Sequence, residues 1–281
     1  MRVRRTRPSL RELFDAHEGR LVHKVDHYFP IYERHLGRFV GRRPRVLEIG
    51  VAQGGSLELW HRWFGRGTVT IGVDVEERST AFRGRRRHIE IGDQGDVAFL
   101  RRVAEEHGPF DIVLDDGSHR AEHQVLLLET LWDDLAADGV LIVEDLHTDY
   151  WPSYGGGHLR PGTFIERVKP LLDDVNAHNS REESFRPTRF TETLVGIHVY
   201  DSVVVLERGD HRPYTTSMAG RPVFDTVNDL PIDDAIPADH LARIARMNRP
   251  TRRLRRALRH PGLVVRAVER RAPGRRRDVT R

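Results

Sequence analysis

The sequence predicts an α/β fold built on a mostly parallel, doubly wound sheet. Between residues 45 and 145, short runs rich in β-branched residues alternate with segments of helical length, which is the pattern of strands joined by helical crossovers. Two later β-rich runs, 192–200 and 202–207, have almost no connection between them, and so tight a turn predicts an antiparallel hairpin. The length of 281 residues suits one sizeable α/β domain with extensions, or two small domains.

The individual elements follow from local sequence signals. The predicted parallel strands lie at residues 45–50, 69–74, 88–91, 110–115 and 139–144. The predicted helices lie at residues 55–64, 95–107, 120–136 and 161–178. Gly108-Pro109 and Asp138-Gly139 are the stop signals after the second and third of these helices. Five parallel strands followed by a hairpin make seven strands, in the order that distinguishes the methyltransferase variant of the Rossmann-like fold from the all-parallel dinucleotide-binding form.

Charge and periodicity divide the chain into three predicted parts. Residues 1–40 form a helical N-terminal cap, residues 41–208 form the sheet domain, and residues 209–281 form a C-terminal extension whose basic tail is partly helical or disordered. From Arg249 to Arg281 there are 13 arginines against two acids, a local charge of +11 that leaves −7 for residues 1–248. The net positive charge of the chain therefore comes from the tail, and it gives no reason to assign nucleic-acid binding to the sheet domain.

Composition limits the protein class. The chain has no cysteine, and no apolar run approaches the ~18 residues that a membrane span needs. The stretch from Met1 to Arg5 lacks the apolar run of a secretory signal. We therefore expect a cytoplasmic protein.

A cofactor site is predicted where the first strand ends. Residues 46–56, VLEIGVAQGGS, read as a buried strand, a glycine-rich turn and a helix, a geometry that lets a ligand approach the backbone closely. The turn alone could serve a dinucleotide or S-adenosylmethionine. Ala52 stands where the dinucleotide fingerprint needs its second glycine, and the glycines run from Gly50 to Gly55 as G-x-x-x-G-G. Glu48, two residues before Gly50, is placed to anchor the amino-acid end of S-adenosylmethionine.

Two further strand ends carry polar residues in the order that such a pocket needs. Asp74 ends the second strand, where a carboxylate can accept hydrogen bonds from both ribose hydroxyls. Asp93 and Gln94 follow the third strand and can meet the adenine edge. Each also has a plain structural interpretation: Asp74 as a helix cap, Asp93 as an N-cap and Gln94 as a solvated loop residue. The predicted cofactor-binding residues are Glu48, Gly50, Gly54, Ser56, Asp74, Asp93, Gln94 and Asp115.

A reaction site is predicted where the fourth and fifth strands end. LDDGSH at 114–119 and VEDLH at 143–147 bring four acids to the same edge of the sheet, namely Asp115, Asp116, Glu144 and Asp145. Such a cluster is costly when unpaired, because like charges raise one another's pKa values, and a bound divalent cation would resolve the conflict. Oxygen ligands without cysteine favour Mg²⁺, with Mn²⁺ or Ca²⁺ as alternatives and Zn²⁺ less favoured.

His119 is the predicted general base. It lies three residues after Asp116, across a Gly-Ser turn, and could take the proton of a substrate hydroxyl whose pKa the metal lowers. His123 and His147 lie near the same edge and are the alternatives. A histidine at the start of a helix is also commonly a solvated or capping residue.

The motifs LEIGVAQGGS, IGVD, IGDQGD, LDDGSH and VEDLHTDYW followed by GGG resemble those of the class I S-adenosylmethionine-dependent methyltransferases. Within these, the chain is similar to the metal-dependent macrolide sugar O-methyltransferases of the mycinamicin and macrocin type, and to the cephalosporin-hydroxylase-like group. The resemblance covers about residues 25 to 180. It implies Mg²⁺ held by Asp116, Glu144 and Asp145, with His119 as base and an adenosyl pocket around the residues named above.

The same resemblance implies further features. Tyr150 and Trp151, with the glycine loop after them, border the acceptor, where aromatic rings can stack on a sugar face. The alternative is a core aromatic pair beside a flexible loop. Residues 28–32 form part of a lid over the cofactor, and the protein is a homo-oligomer, a dimer or a tetramer.

The leading functional prediction is methyl transfer from S-adenosylmethionine to a hydroxyl, on a sugar of a natural product or polysaccharide. A catechol-type O-methyltransferase is the near alternative, because two metal-bound hydroxyls explain the acids equally well. An NAD-dependent oxidoreductase is disfavoured by Ala52 and by the terminal hairpin. A third class is a protein that binds nucleic acid or an anionic membrane through its arginine-rich tail, against the simpler interpretation of a solvated tail.

Overall fold

The computed structural model describes residues 7–182 and 184–215. The predicted C-terminal extension beyond residue 215, with its basic tail, lies outside the described residues. No helix within the described ranges is long and apolar enough to cross a membrane.

A seven-stranded sheet forms the centre of the fold, as predicted. Its strands are β1 Arg45–Ile49, β2 Val69–Asp74, β3 Arg87–Ile91, β4 Phe110–Asp115, β5 Leu135–Val143, β6 Leu194–Tyr200 and β7 Val203–Arg208. Their order across the sheet is β3-β2-β1-β4-β5-β7-β6. The first five strands are mutually parallel, while β7 runs antiparallel to both β5 and β6. The order reverses between β1 and β4, so a crevice opens beyond the carboxyl ends of these strands.

The helices cover both faces of the sheet. The α-helices are α1 Leu10–Asp15, α2 Tyr28–Leu36, α3 Gly55–Phe64, α4 Val97–His107, α5 Ala121–Leu131, α6 Phe164–Val168 and α7 Leu171–Val175. Short 3₁₀ turns lie at Gly37–Phe39, Glu77–Phe82, Trp132–Asp134, Leu146–Tyr150, Pro152–Tyr154 and Ala177–Asn179.

Two sequence predictions of element bounds are wrong. The predicted helix at 161–178 is broken into α6 and α7, because Pro170 has no amide hydrogen to donate and its ring excludes a continuous helix. The predicted helix at 120–136 ends at Leu131, and β5 begins at Leu135 rather than near residue 139. Leu135 pairs with Phe110 of β4 and is buried, so tertiary packing extends the strand through a locally polar segment.

Alternating side chains on the parallel strands supply two separate cores. On β4, Ile112 and Leu114 join a cluster with α1, α2 and α3, whereas Val113 faces α4 and α5 on the other side. In the first cluster the ring of Tyr32 meets that of Trp60 edge-on, with centroids 5.5 Å apart. The N-terminal helices therefore cap one face of the sheet, and this packing brings the segment before α2 to the carboxyl edge.

Candidate functional site

A cavity of about 530 Å³ lies at the carboxyl edge of the sheet. The predicted site residues on its wall are Gly50, Ser56, Asp74, Asp93, Gln94, Asp116, His119, Glu144 and Asp145. The loops after β1 to β5 all contribute, and the N-terminal segment Leu21 to Val25 closes one side. Three predicted cofactor residues, Glu48, Gly54 and Asp115, are not on the cavity wall.

The glycine turn after β1 lies directly against the turn after β4. Gly50 has φ +87°, and a Cβ placed on it would lie 2.0 Å from the Asp116 carbonyl oxygen, so this approach requires glycine. Gly54 is the left-handed residue before α3, and a Cβ there would meet the Phe82 ring at 2.6 Å. Glycine at this position thus serves the turn, and the contact of Gly54 with the cofactor stays a prediction.

Asp74 fastens the glycine turn to the end of β2. Its Oδ2 accepts hydrogen bonds from the amides of Val51 and Ala52, each at 2.9 Å, and its Oδ1 accepts one from the Glu76 amide at 2.9 Å. The carboxylate stays on the cavity wall, where Oδ1 has accepting capacity left for a hydroxyl. The expectation that Asp74 is a helix cap is not what the structure shows.

Asp93 is not the N-cap of α4, which was its alternative interpretation from the sequence. The N-cap of α4 is Asp96, whose carboxylate accepts hydrogen bonds from the amides of Ala98 and Phe99 at 2.8 and 3.2 Å. Asp93 instead accepts the Gly95 amide at 2.7 Å and lies on the cavity wall.

Gln94 and Asp115 are engaged with each other. The Gln94 amide nitrogen donates to Asp115 Oδ1 at 2.8 Å, and its oxygen accepts the Ser118 amide at 2.9 Å. Gln94 is therefore neither a solvated loop residue nor free at both ends for an adenine edge. Asp115 is buried behind the wall, and burial raises its pKa to about 7, against hydrogen bonds from Gly117 and Gln94 that lower it. Asp115 is therefore not on the cavity wall, and its contact with the cofactor stays a prediction.

Glu48 is completely buried in the floor beneath the cavity. Burial raises its pKa to about 7, and the positive charge of Lys24 opposes that shift. Its carboxylate is not on the cavity wall, and its contact with the amino-acid end of the cofactor stays a prediction.

We expect Glu48 to make folding stability fall as pH rises. A glutamate with a pKa of about 7 in the folded state and 4.5 when unfolded keeps its proton longer in the folded protein. The unfolded chain then binds fewer protons between those values, so the free energy of unfolding decreases across that window. The free energy of unfolding of Glu48→Gln, relative to that of the wild type, should therefore increase by about 3 kcal/mol between pH 4 and pH 8. Urea unfolding at several pH values measures this.

Glu18→Gln, at an exposed position, controls for the substitution itself. A constant difference between Glu48→Gln and the wild type at every pH would show that the buried carboxyl does not titrate with folding.

Two carboxylates and a histidine that could bind a cation meet on the cavity wall. One ligand atom from each of Asp116, His119 and Asp145 lies within 4.8 Å of the other two, and all three residues are half-buried. The Tyr28 hydroxyl donates to Asp145 Oδ1 at 2.7 Å and fixes that carboxylate. Carboxylate oxygens beside a solvent-accessible cavity suit Mg²⁺ or Mn²⁺, which keep positions for water or substrate. The donor set thus fits the predicted metal.

Two of these residues adopt strained backbone conformations. His119 and Asp145 both have φ +55°, in the left-handed region that residues other than glycine rarely adopt. His119 Nε2 lies 3.6 Å from Asp145 Oδ2, while its buried Nδ1 has no hydrogen-bond partner among the described residues. Such strain occurs where the surrounding structure holds a side chain in a required direction. Here it turns both side chains toward the cavity.

Glu144, the third predicted ligand, has protein partners on both oxygens. Tyr32 donates to Oε1 at 2.5 Å and Lys24 donates to Oε2 at 2.9 Å. Burial raises the pKa of Glu144 to about 8, and Lys24 opposes the shift. Tyr28 lines the cavity and Tyr32 is buried against Glu144, and the lid role of residues 28–32 stays a prediction.

Sequence reasoning missed Lys24. Its ammonium lies between Asp116 and Glu144, although it precedes them by 92 and 120 residues. One signal was available, because Lys24 is one of two lysines among 46 basic residues. Arginine would be too large and planar for the position that this compact ammonium takes between two carboxylates.

The alternative histidines have structural partners. His123 Nδ1 lies 2.9 Å from the Ser118 hydroxyl, and His147 Nδ1 lies 3.0 Å from the Ser202 hydroxyl. Neither histidine lines the cavity. Among the three candidates, His119 is the one placed on the cavity wall.

The predicted acceptor residues lie on the protein surface close to the site. Tyr150 and Trp151 are 52% and 47% exposed, and the 3₁₀ turn that leads to them begins directly after Asp145. The Trp151 ring is edge-on to His147, with centroids 4.8 Å apart. Tyr150 lines a second pocket of about 100 Å³ rather than the main cavity. The interpretation as a core aromatic pair does not hold.

Known proteins share this fold and much of the sequence, although no family model matches the chain. The chain is 42% identical over 195 residues to the 8-demethyl-8-(2-methoxy-alpha-L-rhamnosyl)-tetracenomycin-C 3'-O-methyltransferase of Streptomyces olivaceus, a match covering 65% of the chain and 50% of that relative. It is 35% identical over 215 residues to the demethylmacrocin O-methyltransferase of Streptomyces fradiae, covering 72% of the chain and 54% of the relative.

The fold is also similar to that of a solved methyltransferase structure. The MycE methyltransferase from the mycinamycin biosynthetic pathway, in complex with Mg and SAH, superposes with a TM-score of 0.66 at 32% identity. The match covers 73% of this chain and 56% of that one. The chain thus spans about half the length of the curated relatives it matches.

Proposed function

We propose that the chain is a class I methyltransferase that transfers a methyl group from S-adenosylmethionine to a sugar hydroxyl. It is similar in sequence and fold to sugar O-methyltransferases of natural-product biosynthesis. The acceptor is a sugar on a glycosylated natural product or on a polysaccharide. The observation that carries this proposal is one cavity lined both by the glycine turn after β1 and by the acids after β4 and β5. Donor and acceptor can meet there at the carboxyl edge of the sheet.

The residues of the glycine turn hold the donor. Gly50 lets the ligand approach the backbone, while Asp74 and Asp93 face the same space with carboxylate oxygens that suit ribose and adenine donors. S-adenosylmethionine supplies the methyl group on a sulfonium, from which the methyl carbon passes to an acceptor oxygen. Such a displacement needs in-line alignment more than acid chemistry, so positioning is the main task of these residues.

The acids after β4 and β5 activate the acceptor. Asp116, Glu144 and Asp145 would hold Mg²⁺ or Mn²⁺, which binds an acceptor hydroxyl and lowers its pKa when present. His119 takes the hydroxyl proton as the methyl carbon moves from sulfur to oxygen. The products are a methyl ether, S-adenosylhomocysteine and a proton on the imidazole.

Methyl-labelled S-adenosylmethionine, with acceptors of two kinds, tests the proposal. The full chain is incubated with a deoxyhexosyl glycoside and, separately, with catechol, each with Mg²⁺ or with EDTA. Label in the glycoside that disappears with EDTA supports the proposal. Label in catechol alone would assign the catechol-type alternative, and calorimetric binding of NADH without S-adenosylmethionine would assign an oxidoreductase.

We expect Trp151 to contribute to acceptor binding. Trp151→Ala removes an exposed ring that can stack on a sugar, so the KM for the glycoside should rise by about tenfold with little change in kcat. Steady-state kinetics with varied glycoside measure this, and Tyr214→Ala, which removes another exposed ring, is the control. An unchanged KM would mean that the acceptor binds elsewhere.

The homo-oligomeric state and the cytoplasmic location predicted from the sequence are part of the same proposal. Sedimentation of the full chain tests the first, and fractionation of the producing cell tests the second.

A further inference from the structure

Lys24 lies among the residues that would hold the metal. Its Nζ donates to Asp116 Oδ2 at 2.5 Å and to Glu144 Oε2 at 2.9 Å, and its side chain is 4% exposed. The Tyr32 ring centroid lies 5.9 Å from the same nitrogen. A buried ammonium is thus held by two carboxylates and one aromatic face.

The ammonium and a shared divalent ion need the same space. A divalent cation held by both Asp116 and Glu144 would compete with Lys24 for the position between these carboxylates. Lys24 Nζ now contacts one oxygen of each of these carboxylates at hydrogen-bond distance. Two cations a few ångströms apart in a poorly solvated site repel strongly. Simultaneous occupation of this position is therefore excluded.

A cation at this position is needed even without a metal. Glu144 is 1% exposed, and a buried carboxylate is destabilising unless a cation pairs with it. Lys24 Nζ contacts one oxygen of Asp116 and one of Glu144, so the lysine supplies this cation.

We propose that Lys24 is a resident counter-ion that occupies the divalent-cation position between Asp116 and Glu144 and is displaced when the metal binds. This inference rests on the metal-dependent methyl transfer proposed above. Lys24 itself lines the cavity between Val22 and Val25, so displacement of its side chain changes the lining of the cavity. Metal binding is thereby coupled to the shape of the donor and acceptor site.

The two-lysine composition allows a direct test on the unmodified full chain. An amine-reactive ester is applied with and without saturating MgCl₂, and the labelled peptides are quantified by mass spectrometry. Labelling of Lys24 should rise by about tenfold or more with Mg²⁺, because reaction requires the side chain to leave its buried position. Lys169, whose side chain is 49% exposed, is the internal control and should not change.

Lys24→Met gives a second measurement. Without an ammonium to displace, this variant should bind Mg²⁺ about tenfold more tightly in calorimetry than the wild type, and Lys169→Met should match the wild type. Its thermal midpoint without metal should be lower than that of the wild type and should recover when MgCl₂ is added.

The outcomes separate the two proposals. Mg²⁺ binding to the wild type with Lys24 still protected overturns the displacement and leaves the proposed function standing. Weaker Mg²⁺ binding by Lys24→Met also overturns the displacement, because the lysine would then increase the affinity of the site for Mg²⁺. No Mg²⁺ binding to either protein overturns both proposals.

Discussion

Replacing His119 with asparagine is expected to lower kcat by about 10²–10⁴-fold, the usual contribution of a general base. His119 lies on the cavity wall with φ +55°, and asparagine tolerates this left-handed conformation better than most residues. The variant therefore loses the proton acceptor without added backbone strain. Single-turnover rates with the glycoside accepted by the wild type measure the effect, because they report the chemical step rather than product release.

His147→Asn is the matched control, since His147 follows the other acidic motif but contacts Ser202 outside the cavity. Thermal midpoints of both variants should stay near that of the wild type. A rate in His119→Asn equal to that of the wild type would remove His119 from the chemistry and leave proton transfer to water or to another group.

Asp145→Asn is expected to raise the Mg²⁺ concentration needed for half-maximal activity by about 100-fold or more, because it removes a charged ligand rather than an outer partner. The substitution keeps an oxygen that can accept the Tyr28 hydrogen bond, and asparagine also tolerates φ +55° at this position. The fold should survive while the site loses one negative charge. Titration of activity with MgCl₂ after EDTA treatment measures the shift.

Asp201→Asn, in the exposed turn between β6 and β7, is the control and should not change the metal requirement. Full turnover by the EDTA-treated wild type, without added metal, would contradict the metal-dependent mechanism whatever the variants do.

The surrounding structure holds His119 and Asp145 in their strained backbone conformation. His119 and Asp145 share the left-handed conformation, and their side chains approach within 3.6 Å across the cavity wall. Strain of this kind costs about 1–3 kcal/mol per residue and persists only where packing over-determines it. Thr148 supplies part of that restraint, because its hydroxyl donates to the carbonyl oxygens of both His119 and Asp145 at 2.8 Å.

The sheet, and the edge of it at which the candidate site lies, could be predicted from the sequence alone. Strand and crossover periodicity are local signals, and parallel strands place their carboxyl ends together, so Asp74, Asp116 and Asp145 could be assigned to one crevice from their positions alone. Element ends were less secure, as at Leu135, because burial extended that strand beyond its local preference.

Which of the acids line the cavity could be seen only in the tertiary structure. Asp115 and Asp116 are adjacent, yet the first is buried against Gln94 and the second faces the cavity, because side-chain direction at a strand end depends on the backbone turn that follows. The ammonium of Lys24 reaches the site through packing of the N-terminal segment from 92 residues away. Contacts at such separation are set by the packing of whole elements, which no local pattern encodes.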